Sequence, residues 1–322
     1  MSRPPVVPRP RRPRASRRPR VVVLGDLVVD VVVAPARALQ TATDVPGGVA
    51  FRQGGSAATT ARWLARLGAR TTLVCAVGRD REARALIAAV ESDGVQVRAT
   101  RVPGARTGRI AVVVAPSGGE RSFVADRRAA DGLAPAELLA ATFRVDLLHL
   151  PVYSLLGAPL GEAGRRAIRL ARDSGALVSL DLASVGPLLA VGRRAAVRLV
   201  RDAAPDVLFA TAAEAGSLLG AGRELPDVLE LAPLVVLKRG RLGATLFARQ
   251  GPDRLAFDVA TPPIDAPDTT GAGDAFDAGF LVAWLSAGPH DRDRPAVLRR
   301  AVLGAHRAAA RQLANPRKEL SL

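Results

Sequence analysis

From Val145 to Thr211 the chain repeats a single unit, a short apolar β-rich run followed by a helical stretch. VDLLHL leads to a helix over 161–174, ALVSLDL to a helix ending near Ala203, and DVLFAT to the segment ATAAEAGSLLG. Strands that resume the same direction after each helix pair in parallel, and their helices cover both faces of the sheet. Ligands of such sheets collect at the carboxyl ends of the strands. Asp181 lies at one such end and Glu214 just beyond another. His149 has no partner acid or nucleophile that spacing can assign, so it reads as a packed strand residue.

The first half is less regular. VVVLGDLVVDVVV, residues 21–33, reads as one central buried strand interrupted by Asp26 and Asp30, either of which can cap a strand end or guard an edge. Residues 34–53 are punctuated by proline and glycine and suit an excursion from the main sheet. Gly54 and Gly55 then open a helix with Ala61, Leu64, Ala65 and Leu67 on one face. TTLVCAVGRD, residues 71–80, reads as the next strand, with a helix to about Asp93. Between Thr107 and Asp126 two alternating pieces flank the turn PSGGER, a hairpin signal. Residues 234–248 are strand, turn and strand, and residues 295–322 an arginine-rich helix with a short tail.

Near the carboxyl end, DTTGAGDAFDAGFLVAWL passes from a glycine turn straight into an amphipathic helix. Gly271 and Gly273 let the backbone turn tightly. The first-turn amides and the positive dipole end of the helix then face that turn, an arrangement that suits phosphate. Asp274 sits in the first turn. It is either an acid that favours a helix start or a carboxylate placed to take a proton from a hydroxyl beside a phosphate.

The run Asp268-Thr269-Thr270-Gly271-Ala272-Gly273-Asp274-Ala275-Phe276 resembles the second signature of the ribokinase/PfkB-type carbohydrate kinases. The resemblance extends over residues 21–315 and implies a ribokinase-like, three-layer α/β/α sandwich with a mostly parallel central sheet and a small β lid. It divides the chain into a disordered tail, 1–20, and a kinase domain, 21–322, whose lid segments are about 34–53 and 107–126. It makes Asp274 the general base, and Gly271, Ala272 and Gly273 an anion hole for phosphoryl transfer from ATP. The amides of Ala272, Gly273 and Asp274 would hold the developing charge. Asp277, one turn further on, serves as a position where substitution should be mild.

The same resemblance gives Asp30, Gly54 and Gly55 to the sugar, with Thr59 where the family's first signature carries Asn. A hydroxyl has fewer hydrogen-bonding sites than an amide. Glu214 takes the Glu position of an Asn-x-x-Glu element that orders Mg²⁺ through water, with Thr211 replacing its Asn. As a plain first-turn acid Glu214 would stabilise its helix in any case. Lys238, Gly240 and Gly243 would lie against the nucleotide, although hairpin duty alone accounts for both glycines. Asp268 and Thr270 match residues of a monovalent-cation site, while the carboxyl end lacks the glycine-containing segment that completes it. The implied acceptor is a sugar or a nucleoside, and the implied assembly a homodimer through the lids. The two replacements of Asn by Thr keep open a protein that binds sugar or nucleotide with little catalysis.

Composition bounds the rest. The 322 residues, 48% hydrophobic, can bury a sizeable core. A net charge of +16 is concentrated in residues 1–20, which carry eight arginines, six prolines and no acid; without those eight, 38 basic residues face 30 acidic ones. Such a tail can hold nucleic acid by counterion release, yet it lacks aromatics for base stacking, so it reads as a solvated tail. The single cysteine, Cys75, lies in an apolar run and reads as a buried reduced thiol. No apolar stretch approaches the roughly 20 residues of a membrane span, and the amino end has no signal-peptide core, so a cytoplasmic location is expected. Neither lysine, Lys238 or Lys318, sits in a Gly-x-x-x-x-Gly-Lys frame, which excludes a P-loop kinase.

Overall fold

The valine-rich run at 21–33 forms two strands in two different sheets. In the computed structural model, which describes residues 18–116, 121–266, 268–315 and 317–321, β1 is Arg20–Leu24 and β2 is Val28–Pro35. The break between them has a local cause. A Cβ on Gly25 would stand 2.7 Å from Ala57 Cβ and 2.8 Å from Ser154 Oγ. Asp26 turns inward to accept from the Ala57 amide at 3.1 Å. The acid that interrupts the apolar run therefore ends β1. Residues 1–17 and the turn residues 117–120 of PSGGER lie outside the described set.

After β2 come β3 (Gly47–Gly54), α1 (Ser56–Arg66), β4 (Arg70–Val77), α2 (Arg81–Glu91), β5 (Gln96–Arg101), β6 (Arg109–Val114) and β7 (Arg121–Asp126). The repeating half supplies β8 (Leu147–Pro151), α3 (Leu160–Asp173), β9 (Leu177–Asp181), a short α4 (Val185–Leu189), α5 (Arg193–Ala203), β10 (Val207–Thr211), α6 (Ala212–Leu219) and β11 (Leu234–Lys238). Then follow β12 (Ala244–Gln250), β13 (Asp253–Val259), α7 (Ala272–Leu285) and α8 (Pro295–Ala314).

Nine strands make the main sheet in the order β13-β12-β11-β10-β9-β8-β1-β4-β5. The seven from β11 to β5 run parallel, and β12 and β13 are added antiparallel at one edge. Strand β1 explains why the layers number three. Val21 and Val23 enter one core with α1, α2, α7 and α8, while Val22 and Leu24 enter the other with α3, α5 and α6. Because side chains alternate along a strand, a strand apolar at every position is one buried on both faces.

The smaller sheet has the order β3-β2-β6-β7, with β2 parallel to β6 and the outer pairs antiparallel. Its edge at β3 also receives the carboxyl-terminal segment, through a bridge between Arg52 and Glu319 and a bond from the Leu320 amide to the Phe51 carbonyl at 2.7 Å. Asp80 joins the two sheets. It caps α2 at the Ala83 amide, 3.0 Å, and accepts from the Thr107 amide and hydroxyl at 2.7 and 2.6 Å. No helix among the described residues is long and apolar enough to cross a membrane.

Candidate active site

Gly271 takes the left-handed conformation at φ 79° and starts α7. A Cβ there would meet the Thr59 methyl at 3.0 Å, so the turn is pressed against α1. Gln312 on α8 fastens it from behind, donating to the Thr270 carbonyl at 3.0 Å while accepting from the Trp63 indole at 2.9 Å. Sequence reasoning missed Gln312, whose only signal is a polar side chain on an otherwise apolar helix face.

The turn's amides are not equivalent. Ala272 N–H donates to the Thr269 carbonyl at 3.2 Å, which removes it from the expected trio. The Gly273 and Asp274 amides are first-turn donors, and among the described residues neither is bonded to a carbonyl one turn back.

Asp274 is half-buried and accepts from Ser56 Oγ at 2.6 Å. Burial pushes its carboxyl up to about 7, with Asp181 adding to the rise and the Ser56 hydrogen bond and Lys238 opposing it. Ser56, the first residue of α1, was not singled out in the sequence; its neighbours Gly54 and Gly55 were.

Beneath the turn lies a charge cluster. Lys238 Nζ is 3.0 Å from Asp181 Oδ1 and 3.3 Å from Asp277 Oδ1, and a Cβ on Gly273 would stand 3.5 Å from it. Burial alone would lower the ammonium's pKa, but Asp181 and Asp277 more than reverse that and the net shift is upward. Burial, together with the neighbouring Asp181, raises Asp277 well above the carboxylate range. Two expectations change here. Lys238 is tied to two carboxylates and faces the underside of the turn. Asp277 is fully buried in that cluster and cannot serve as a neutral control.

On the acceptor side, a Cβ on Gly54 would overlap Asp30 Oδ1 at 1.9 Å, and one on Gly55, at φ 97°, would stand 2.5 Å from the Asp26 carbonyl. Only glycine lets β3 close on both acids. Asp30 is 5% exposed and paired with Arg317 Nη1 at 2.5 Å. Burial raises its pKa and Arg317 opposes the rise. The Thr59 hydroxyl donates to the Gly55 carbonyl at 2.9 Å and its methyl faces Gly271, so it packs the helix start, and its oxygen keeps only the capacity to accept.

Asp268 accepts from the Thr270 amide at 2.8 Å and from Arg121 Nη1 at 3.1 Å. Arg121 also donates to the Thr269 and Thr270 hydroxyls. The carboxylate and hydroxyl that match a monovalent-cation site thus already hold a guanidinium.

Thr211 and Glu214 form a capping box at the start of α6, with Thr211 N to Glu214 Oε2 at 2.7 Å and Glu214 N to Thr211 Oγ1 at 3.1 Å. Glu214 Oε1 takes no part in that box and is the oxygen that could hold a water of a nucleotide-bound Mg²⁺. Among the described residues no three His, Cys, Asp or Glu side chains are grouped to hold a metal by themselves. A magnesium ion carried by phosphates needs only one or two protein carboxylates, so the residues present fit it.

Gly240 and Gly243 sit at φ 56° and 91° in the turn between β11 and β12. A Cβ on Gly243 would strike the Val259 carbonyl at 2.1 Å, a requirement of the hairpin. Gly240 has nothing within 4 Å, leaving its backbone open to a ligand. His149 is buried against Ser179 Oγ at 2.9 Å, and burial lowers it to about 4, so it is a neutral packing residue. Two surface concavities, of about 690 and 360 Å³, line β5 and α5 and include none of these residues.

The nine-stranded sheet, the helices on both faces and the smaller sheet define a ribokinase-like α/β/α protein. The chain belongs to the PfkB family of carbohydrate kinases, whose model matches residues 18–316. It is 30% identical over 248 residues to a protein of Halopiger xanaduensis named ATP-dependent ribose-1-phosphate kinase, covering 74% of this chain and 75% of that one. It is 31% identical over 280 residues to fructokinase-1 of Oryza sativa subsp. japonica, covering 83% of each. In fold it is similar to a fructokinase of Xylella fastidiosa solved with bound ATP, at a TM-score of 0.76 and 22% identity over 90% of this chain and 90% of that one.

Proposed function

We propose that this chain transfers the γ-phosphoryl group of ATP to a hydroxyl of a sugar or sugar-like small molecule in the cytoplasm, with Asp274 as general base. The observation that carries the reading is Asp274 itself, a carboxyl pushed up to about 7, held by Ser56 at 2.6 Å and set in the first turn of α7 behind a left-handed glycine. A base is most effective when its pKa lies near the working pH. An isolated helix acid needs neither that environment nor the hydroxyl.

The acceptor oxygen attacks the γ-phosphorus as its proton passes to Asp274. The bond from that phosphorus to the β–γ bridging oxygen breaks, and ADP leaves with the bridging electron pair. The Gly273 and Asp274 amides donate to the equatorial oxygens, and the Lys238 ammonium behind Gly273 adds fixed positive charge where negative charge develops. Mg²⁺ on the β- and γ-phosphates would neutralise their charge, with Glu214 holding one of its waters. Gly240 offers backbone to the nucleotide, and Asp26, Asp30 and the Gly54–Gly55 step orient the acceptor. The smaller sheet serves as the lid that keeps water from competing as acceptor, and two copies pair through these sheets.

The test is Asp274→Asn, which keeps size and hydrogen bonding but removes the base. ADP release with an active acceptor should fall by about 10²- to 10⁴-fold. Turnover within a few-fold of the parent would reject the assignment.

A further inference from the structure

We infer that the acceptor carries an oxyanion, a phosphate or a carboxylate, and that Arg317 reads it. The inference rests on the kinase reading of the site and deepens it by naming the acceptor class.

The two carboxylates that flank the Gly54–Gly55 step are both already capped by arginine. Arg127 Nη1 lies 3.2 Å from Asp26 Oδ2, and its Nε is held 2.7 Å from Asp131. Arg317 Nη1 lies 2.5 Å from Asp30 Oδ2 and 3.1 Å from the Gln53 carbonyl. A neutral polyol orients itself best on bare carboxylate oxygens that accept from its hydroxyls. Here Asp26 accepts from the Ala57 amide on Oδ1 and from Arg127 on Oδ2, and Asp30 Oδ2 is taken by Arg317, so Asp30 Oδ1 alone stands beside the unused donors of the two arginines.

Arg317 is the more informative of the two. Its side chain is 10% exposed. Nη1 is fully used by Asp30 and Gln53, while Nε and Nη2 are buried and find no hydrogen-bond acceptor among the described residues. Asp268 Oδ2, at 3.7 Å from Nε, is near enough to balance charge but too far to accept. Nε and Nη2 share one edge of the guanidinium plane, and their hydrogens point the same way. That edge matches the two oxygens of a carboxylate or phosphate. Among the described residues Arg127 Nη2 is also buried without an acceptor.

Position agrees with chemistry. Arg317 spans from Asp30 on β2 to Asp268 at the foot of the glycine turn, and Gly54, which touches Asp30, is two residues from Ser56, the partner of Asp274. An acceptor whose anion lies on this fork keeps its hydroxyl end toward the base. Buried donors of a charged group are costly to leave unsatisfied, and an oxyanion is the partner that satisfies two of them at once.

The experiment pairs each neutral probe with its anionic counterpart: ribose with ribose 5-phosphate and ribose 1-phosphate, and glucose with gluconate. Turnover with ATP is measured by ADP release, and binding without nucleotide by titration calorimetry, for the full chain and for Arg317→Gln and Arg317→Lys. An anionic probe should exceed its neutral parent in kcat/KM by at least 10-fold. Arg317→Gln should lower that ratio by about 10- to 100-fold, the loss expected for hydrogen bonds to a charged group, and Arg317→Lys should restore part of it. A general folding defect would lower both members of a pair and leave the ratio alone. The phosphate and carboxylate arms show which oxyanion is preferred.

Neutral probes turned over as well as their counterparts would overturn the inference and leave the kinase reading standing. If no probe is phosphorylated, the calorimetry decides. Tighter binding of an anionic probe that disappears in Arg317→Gln upholds the fork, whereas equal or undetectable binding of both members overturns it.

Discussion

Asp274 has a consequence for stability that runs opposite to its proposed role in turnover. Its carboxyl titrates near 3.8 in an unfolded chain and is pushed up to about 7 in the folded one. Between those values the folded state holds the extra proton, so the residue's contribution to stability is complete below about pH 4 and is lost as pH climbs to about 7. Asn carries no such loss. Asp274→Asn should therefore melt at the same temperature as the parent near pH 4 and above it at pH 8, read by circular dichroism, while turnover collapses. For the parent, kcat/KM should rise with pH through about 7 and then level off, because only the deprotonated form takes the proton. A variant that melts lower at pH 8 would mean that the carboxylate is stabilised where it sits. Asp274 was legible in the sequence because glycine spacing and a helix start are local. Ser56 and Arg317 were not, since each acts through a partner more than 200 positions away, nor was Gln312, which joins Thr270 to a Trp63 that lies 249 positions off, and no spacing encodes such meetings.

At the scale of elements, β7 is fastened to the glycine turn by one side chain. Arg121 reaches Asp268, Thr269 and Thr270, and among the described residues no other side chain of β7 hydrogen-bonds to that turn. Arg121→Ala should loosen the smaller sheet from the site. The expected signature is a rise in acceptor KM with ATP hydrolysis to water becoming a larger fraction of ADP release, measured by comparing ADP with phosphorylated acceptor. Tight coupling at parental KM would show that β7 is held by other means. Lys238 ties β9, β11 and α7 at once. Lys238→Met leaves the buried Asp181 carboxylate beside Asp277 without its counter-charge and should cost about 3–5 kcal/mol in urea unfolding, the range for breaking a buried pair. A loss below about 1 kcal/mol would mean that Asp181 also takes up a proton in place of the ammonium. The strand and helix series from β8 to β11 could be read because each unit is buried on both faces and punctuated by glycine. The run 21–33 could not be divided, because β-branched residues look alike in either sheet and only the burial of Asp26 against α1 separates them.

For the molecule as a whole, the register of the smaller sheet sets Val31, Val33, Val49, Phe51, Val113 and Val124 on one face. Val49 and Val124 are 65% and 69% exposed. An apolar face of this kind favours burial against a second copy. Light scattering should give twice the chain mass, and Val124→Asp should halve it; a monomeric parent would remove the pairing. The architecture was open to sequence reasoning as a class, whereas the partition of contacts between the sheets was not. Because a single ammonium clamps the underside of the glycine turn to two strand ends, that turn cannot travel independently of the central sheet. On the proposed reading, any motion that admits and releases substrates falls to the opposite wall, a swinging cover over a fixed anvil, and turnover should slow in a variant that pins that cover.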